Sequence, residues 1–160
     1  MKTKMLIMLA LIVTLVLAAG ATGVASADEA GVPFKAFYAG VPVAEFTPGF
    51  PPYLDQTFEF DGQATHLGLS HMSATGKTSM FPPMNQFGDI TFIAANGDTL
   101  TVHYTGNGQV VAPGVVTFGG EYQITGGSGR FEGATGSGVY WGTATANVWG
   151  EIYFDGLLYK

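Results

Sequence analysis

From Phe58 onward the chain alternates apolar and polar residues with a period of two. Phe58 and Phe60 alternate with Glu59 and Asp61; Leu100, Val102 and Tyr104 alternate with Thr99, Thr101, His103 and Thr105. Val116, Phe118, Tyr122 and Ile124 stand among Thr117, Glu121, Gln123 and Thr125 in the same way. Successive side chains of a strand point to opposite faces, so this pattern predicts half-buried strands. No window carries an apolar i, i+3, i+4, i+7 set over a helix length, and little helix is expected.

The punctuation agrees. Ala95-Asn96-Gly97-Asp98 predicts a hairpin between Ile90–Ala95 and Thr99–Thr105, because Asn-Gly tolerates positive φ. A two-residue loop would pair Ala95 with Asp98 and put Phe92 with Thr101. A three-residue loop would pair Ala95 with Thr99 and align Phe92 with Val102, giving the cleaner apolar face, and is preferred. Phe81-Pro82-Pro83-Met84-Asn85-Gln86-Phe87 reads as loop, and the glycines at 126–129 and 133–138 read as tight turns around Arg130-Phe131-Glu132. About eight strands fit between Phe58 and Tyr159. A sandwich or a closed barrel is the usual solution for so many short antiparallel strands, and closure removes exposed edges.

Upstream, residues 28–57 hold Pro33, Pro42, Pro48, Pro51 and Pro52 among Phe34, Phe37, Tyr38, Phe46, Phe50 and Tyr53. Proline removes a ladder donor, so this segment is read as an irregular extension lying over apolar surface of a barrel domain at 58–160. Residues 1–27 read as a signal peptide. Lys2 and Lys4 form a basic start, an apolar run of about 15 residues follows, and Ala25-Ser26-Ala27 presents small residues for cleavage before Asp28. The run falls short of the ~20 residues of a spanning helix, and there is no cysteine to carry a lipid anchor. The mature chain is expected to be secreted or periplasmic, without stable membrane insertion.

Composition narrows the function. The formal charge of −6 includes Lys2 and Lys4, so removal of the signal leaves −8. The remaining basic residues, Lys35, Lys77, Arg130 and Lys160, form no cluster, which excludes nucleic-acid binding and disfavours an anionic membrane. The absence of cysteine removes thiol catalysis and thiolate metal sites. Charged residues are 11% of the chain, against about 25% in typical soluble domains, and Gly 24 is about twice the usual share.

Three segments then carry a family resemblance. Gly62-Gln63-Ala64-Thr65-His66-Leu67-Gly68, Phe92-Ile93-Ala94-Ala95-Asn96-Gly97-Asp98 and Ile124 to Gly138 resemble, in that order, exported bacterial proteins whose domain is similar to the allene oxide cyclase barrel, itself related to plant dirigent proteins. The resemblance implies an eight-stranded antiparallel barrel with an apolar interior, often oligomeric. No functional residue of the plant cyclases maps onto a matching position, so it implies a fold and not an activity.

Motifs for chemistry are sparse. His71 to Thr78 ends like a phosphate-binding loop, but His71 stands where the first glycine belongs and no helix follows. The glycines at 126–138 miss the dinucleotide spacing. His66 and His71, five apart, point to opposite faces of a regular strand, so no metal site and no cofactor is expected. His66 is expected to hold a structural hydrogen bond beside its glycine bend. No nucleophile elbow exists, and Glu59, Glu121, Glu132 and Glu151 give no reason to pair any two. Arg130 is read as fixing its glycine turn rather than clamping an anion. The loop of Phe81, Met84 and Phe87 would serve as a lid over a barrel mouth or pack on the wall.

The candidate ligand-facing residues are therefore His66, His103, Glu121, Tyr122 and Arg130, with Phe81, Met84 and Phe87. The expected function is binding of a small apolar molecule, or service as a structural, homo-oligomeric subunit, with no catalytic constellation visible. The alternatives are a cyclase or isomerase acting on a hydrophobic substrate in the cavity, and an outer-membrane barrel.

Overall fold

The computed structural model describes residues 30–49 and 52–160. The signal segment expected over residues 1–27, with cleavage between Ala27 and Asp28, lies outside them, as do Phe50 and Pro51.

The described chain is a closed antiparallel barrel. Its strands are β1 (Val32–Gly40), β2 (Val43–Thr47), β3 (Tyr53–Ala64), β4 (Gly68–Ser79), β5 (Asn85–Ala94), β6 (Thr99–Ala112), β7 (Val115–Gly127), β8 (Thr135–Thr145) and β9 (Trp149–Tyr159). From β3 to β9 each strand pairs with the next, and β1 bridges β9 and β3. Eight strands form the ring, and β2 is an extra strand on the upper half of β3.

The segment read as an irregular extension thus supplies the strand that closes the barrel. Phe34, Ala36 and Tyr38 are buried inside while Lys35 and Phe37 face out. The alternation was present, but Pro33 and Pro42 sit at its two ends and mask it. Pro33 lies next to the first residue of β1, and Pro42 separates β1 from β2, both tolerable places for a missing donor.

The 90–105 hairpin has a three-residue loop, one residue earlier than expected. Phe92 pairs with Leu100 and Ile90 with Val102, while Gly97 N–H donates to Ala94 O at 2.9 Å. This register puts Gly97, at φ +88°, in the last loop position, where the left-handed conformation falls; the expected register would have put Asp98 there. The 81–87 loop is also shorter than expected, because Asn85, Gln86 and Phe87 already belong to β5.

The glycine content has a second cause besides turns. Tyr104 lies opposite Gly88, which lies opposite Gly76, and its ring runs along the wall over both. Tyr122 covers Gly138 and Gly156 in the same manner, Tyr140 reaches across Gly120 to Gly106, and Phe60 covers Gly40 and Gly150. Each ring occupies the space that two side chains on the next two strands would fill, an aromatic compensation for strand glycine.

One end of the barrel is solid. Phe92 packs on Phe34, Tyr38 and Phe154 at centroid distances of 5.8, 5.3 and 5.2 Å. Below them Phe131, on a 3₁₀ turn at Gly129–Phe131, is fully buried and plugs that end. Burial of each such ring stabilises the fold by about 1.5–3 kcal/mol.

Candidate functional site

The opposite end, where β1 runs out and β3, β5, β7 and β9 begin, is not filled. An apolar recess of about 80 Å³ opens there, lined by Leu54, Gln56 and Phe58 of β3, Thr78 of β4, Met84, Gln86 of β5, Val116 and Phe118 of β7 and Ala144 of β8. Phe58, Gln86 and Phe118 also border a smaller void of about 20 Å³ below it, which reaches Met72, Tyr104, Tyr140 and Ile152. The recess is open because small residues, Gly108, Gly114 and Ala144, stand in its lining. Phe118 covers Gly142, but no ring extends above it.

Its polar groups are amides and hydroxyls. Thr78 Oγ1 donates to Gln56 Oε1 at 2.9 Å. Gln86, buried, donates through Nε2 to Tyr140 Oη at 3.0 Å and to Asn107 O at 3.5 Å. The Tyr140 ring meets Tyr104 edge-on at 5.4 Å. Burial pushes the Tyr104 hydroxyl up to about 12, and burial beside Tyr104 pushes Tyr140 further in the same direction. Both stay protonated at neutral pH. Among the described residues, no Asp, Glu, His, Lys or Arg lines the recess. It can hold an apolar group and exchange one or two neutral hydrogen bonds with it.

Of the residues expected at the site, only Met84 reaches it. Phe81 and Phe87 are exposed on the outside, so the loop forms no lid. His66, at φ +68° in the β3–β4 turn at the plugged end, has Nε2 3.1 Å from Pro33 O, the structural bond expected of it. His103 pairs with Asp89 at 2.8 Å on the outer wall, and Glu121 lies nearby on the same wall. Tyr122 points inward but is packed on Phe154 at 5.6 Å, away from the recess. Arg130 bridges to Asp98 at 3.4 Å and lies over the Phe131 ring, fixing the glycine turn. Met84 alone of these lines the recess, while His103, Glu121 and Tyr122 line one outer hollow of about 560 Å³.

Gln86, Thr78 and Tyr140 were missed. A signal was available: counting back in twos from Phe92 and Ile90 through Gly88 puts Gln86 on the inward face. Two wider hollows of about 580 and 740 Å³ lie on the outer wall beside Phe37, Gln63 and Leu69. They are open troughs, and the enclosure that favours ligand retention is found at the mouth. The outer wall also carries His71, clasped by Asp61 at 2.9 Å and Glu59 at 2.7 Å, with Ser73 donating to Glu59 at 2.7 Å.

No protein-family model matches the chain, and neither a curated protein nor a solved structure matches it. The likeness to allene oxide cyclase barrels therefore rests on the three sequence segments.

Proposed function

We propose that this is an exported binding barrel that takes one apolar end of a small molecule into the recess at its open mouth. The observation that carries this reading is the enclosed apolar recess of about 80 Å³ above the buried Gln86–Tyr140 pair. A water requires ~10–15 Å³ by the same kind of measure, and drug-sized pockets run to about 300–1,000 Å³. The size suits an alkyl terminus or a single small ring, with the rest of the ligand remaining outside. Gln86 and the Tyr140 hydroxyl are placed to greet one polar atom that follows the apolar end inward.

A cyclase or isomerase could use Gln86 and Tyr140 to stabilise developing charge, but no carboxylate, histidine or lysine lines the recess to move a proton, and binding is the reading favoured here. An outer-membrane barrel would turn apolar residues outward. Here the outer face mixes apolar residues such as Phe37, Leu69, Val139 and Trp141 with Glu59, His71, Asp89, Thr101 and Glu121, and the charged wall of β3 to β7 argues against that reading.

Native mass spectrometry of the protein purified without detergent from its own secreting cells tests the proposal, and reports the oligomeric state as well. The expected result is an added mass that leaves on denaturation. Ala144→Phe, which fills the recess, should lose that mass while keeping its melting temperature. Bare wild-type protein, or an adduct indifferent to Ala144→Phe, would overturn the reading.

A further inference from the structure

The connections at the two ends of the barrel differ in how they place their large apolar residues. At the plugged end, the apolar residues of the connections are buried: Leu67, Phe131 and Ala134 all face the core. Also exposed there are the polar His66, Asn96, Arg130 and Glu132 and the strand-end residues Leu69, Ile93, Leu157 and Tyr159. At the open end, Phe46, Phe81, Val110, Val111, Val148 and Trp149 are each more than half exposed. They come from four separate parts of the chain: β2, the β4–β5 connection, the β6–β7 hairpin and the β8–β9 hairpin. Together they encircle the recess.

Charge is missing from three of its four parts; in the fourth, Glu45 adjoins Phe46, and Asp55 and Lys77 lie beside it on β3 and β4. Residues 80–87, 106–118 and 141–150 contain no Asp, Glu, Lys, Arg or His. An interface with a folded protein is expected to add a polar rim that fixes register. A ring of apolar tips with charge on one side only suits a soft apolar medium that has no register to match, and Trp149 is the residue type favoured where such a medium meets water. The mature chain at −8 would be repelled by anionic headgroups.

We propose that the open rim docks on an uncharged lipid surface, with Trp149 and its neighbours dipping into the interface and the recess facing the acyl chains. The inference deepens the binding reading, since it names a lipid phase as the source of the ligand. It also rests on separate residues. The recess accepts only one end of a molecule, and docking would keep the remainder out of water during transfer.

The chain has two tryptophans, so Trp141→Phe leaves Trp149 as the only reporter at the rim. Its emission should shift to the blue on titration with phosphatidylcholine vesicles and be quenched by bromine-labelled acyl chains. Incorporating phosphatidylglycerol should weaken binding, as charge repulsion requires. Replacing Phe46, Phe81 and Val148 together with serine should lower vesicle affinity at least about tenfold, because burying even one such side chain is worth that much. These positions are exposed, so the melting temperature should be kept. An unmoved Trp149 and no co-sedimentation with vesicles would overturn the proposal. A blue shift that appears without lipid, rises with protein concentration and accompanies a dimer mass would overturn it in favour of rim-to-rim pairing. Vesicle binding retained by Ala144→Phe, with the native adduct lost, would separate the rim from the recess. An adduct without vesicle binding would remove the rim alone.

Discussion

Gly138→Ala tests whether the inward glycines exist to make room for rings. A Cβ at this position would lie 2.7 Å from Gly156 Cα, 2.7 Å from Tyr122 Oη and closer still to the Asp155 carbonyl oxygen. Ordinary contact begins at 3.4 Å, so several atoms would have to retreat by more than half an ångström. Two of the three belong to the backbone of β9, which is held in its ladder by β8 on one side and β1 on the other. Overpacking of this kind costs about 1–3 kcal/mol, and with backbone as the obstacle the upper part of that range applies. Against it stands a gain of about 0.4–1 kcal/mol from stiffening the unfolded chain. The expected net loss is about 2 kcal/mol, a fall in melting temperature of roughly 4–8 °C for a domain of this size. Urea denaturation followed by circular dichroism measures it. Gly108→Ala is the control, since its Cβ would meet the movable Val116 Cγ1 at 3.2 Å and Thr117 O at 3.4 Å. It should stay within about 0.5 kcal/mol of wild type. Equal stability of the two variants would refute the space-filling argument and return these glycines to backbone flexibility.

Two further outcomes follow from the outer wall and the plug. Asp61 and then Glu59 hold the His71 imidazolium above the ordinary histidine value of 6.5, and Ser73 and then His71 hold Glu59 below 4.5. The histidine contribution is full below its unfolded value and fades as pH rises through the raised one; the glutamate contribution is present above its unfolded value and is lost as pH falls through the lowered one. His71→Gln should therefore cost about 0.5 kcal/mol near pH 5.5, the scale of an exposed pair, and close to nothing at pH 8.5; an equal cost at both pH values would refute the ion-pair account. Phe131→Ala should unplug the closed end at a cost of about 3–5 kcal/mol in urea denaturation, whereas loss of less than ~1 kcal/mol would mean that the end collapses around the gap.

The barrel was legible in the sequence wherever one face is uniformly apolar and the other uniformly polar. Leu100-Val102-Tyr104 and Tyr122-Ile124 point inward as their alternation requires. It was illegible where small residues replace large ones on the inward face. Gly88 breaks the run from Phe92 to Gln86, and β5 looked as though it began at Ile90, although it begins at Asn85. The same cause hid the recess, since a cavity is made by what is absent from Gly108 and Ala144 rather than by any marked residue. The titratable residues drew attention for their chemistry, yet in an apolar-filled barrel an unpaired charge inside is costly, so His66, His103, Glu121 and Arg130 all lie outside. Proline misled for a related reason. Pro33 was weighed as a strand breaker, although near a strand's first residue it is permitted.

The closing strand has a bearing on how the chain reaches its final form. Val32, in the first strand of the described chain, pairs with Leu158, in its last strand. Whether the chain emerges from a ribosome or a membrane pore, β1 appears first and its partner β9 last. Until β9 arrives, Phe34 and Tyr38 have neighbours on one side only, and the bare flanks of β1 and β8 remain sticky. Such long-range pairing is slow to establish, since the intervening loop must be ordered before the contact rewards it. A chain halted before Trp149 would be a curled sheet with two open edges. A delay of this sort keeps a protein threadable through a narrow channel up to the moment its last residues come through.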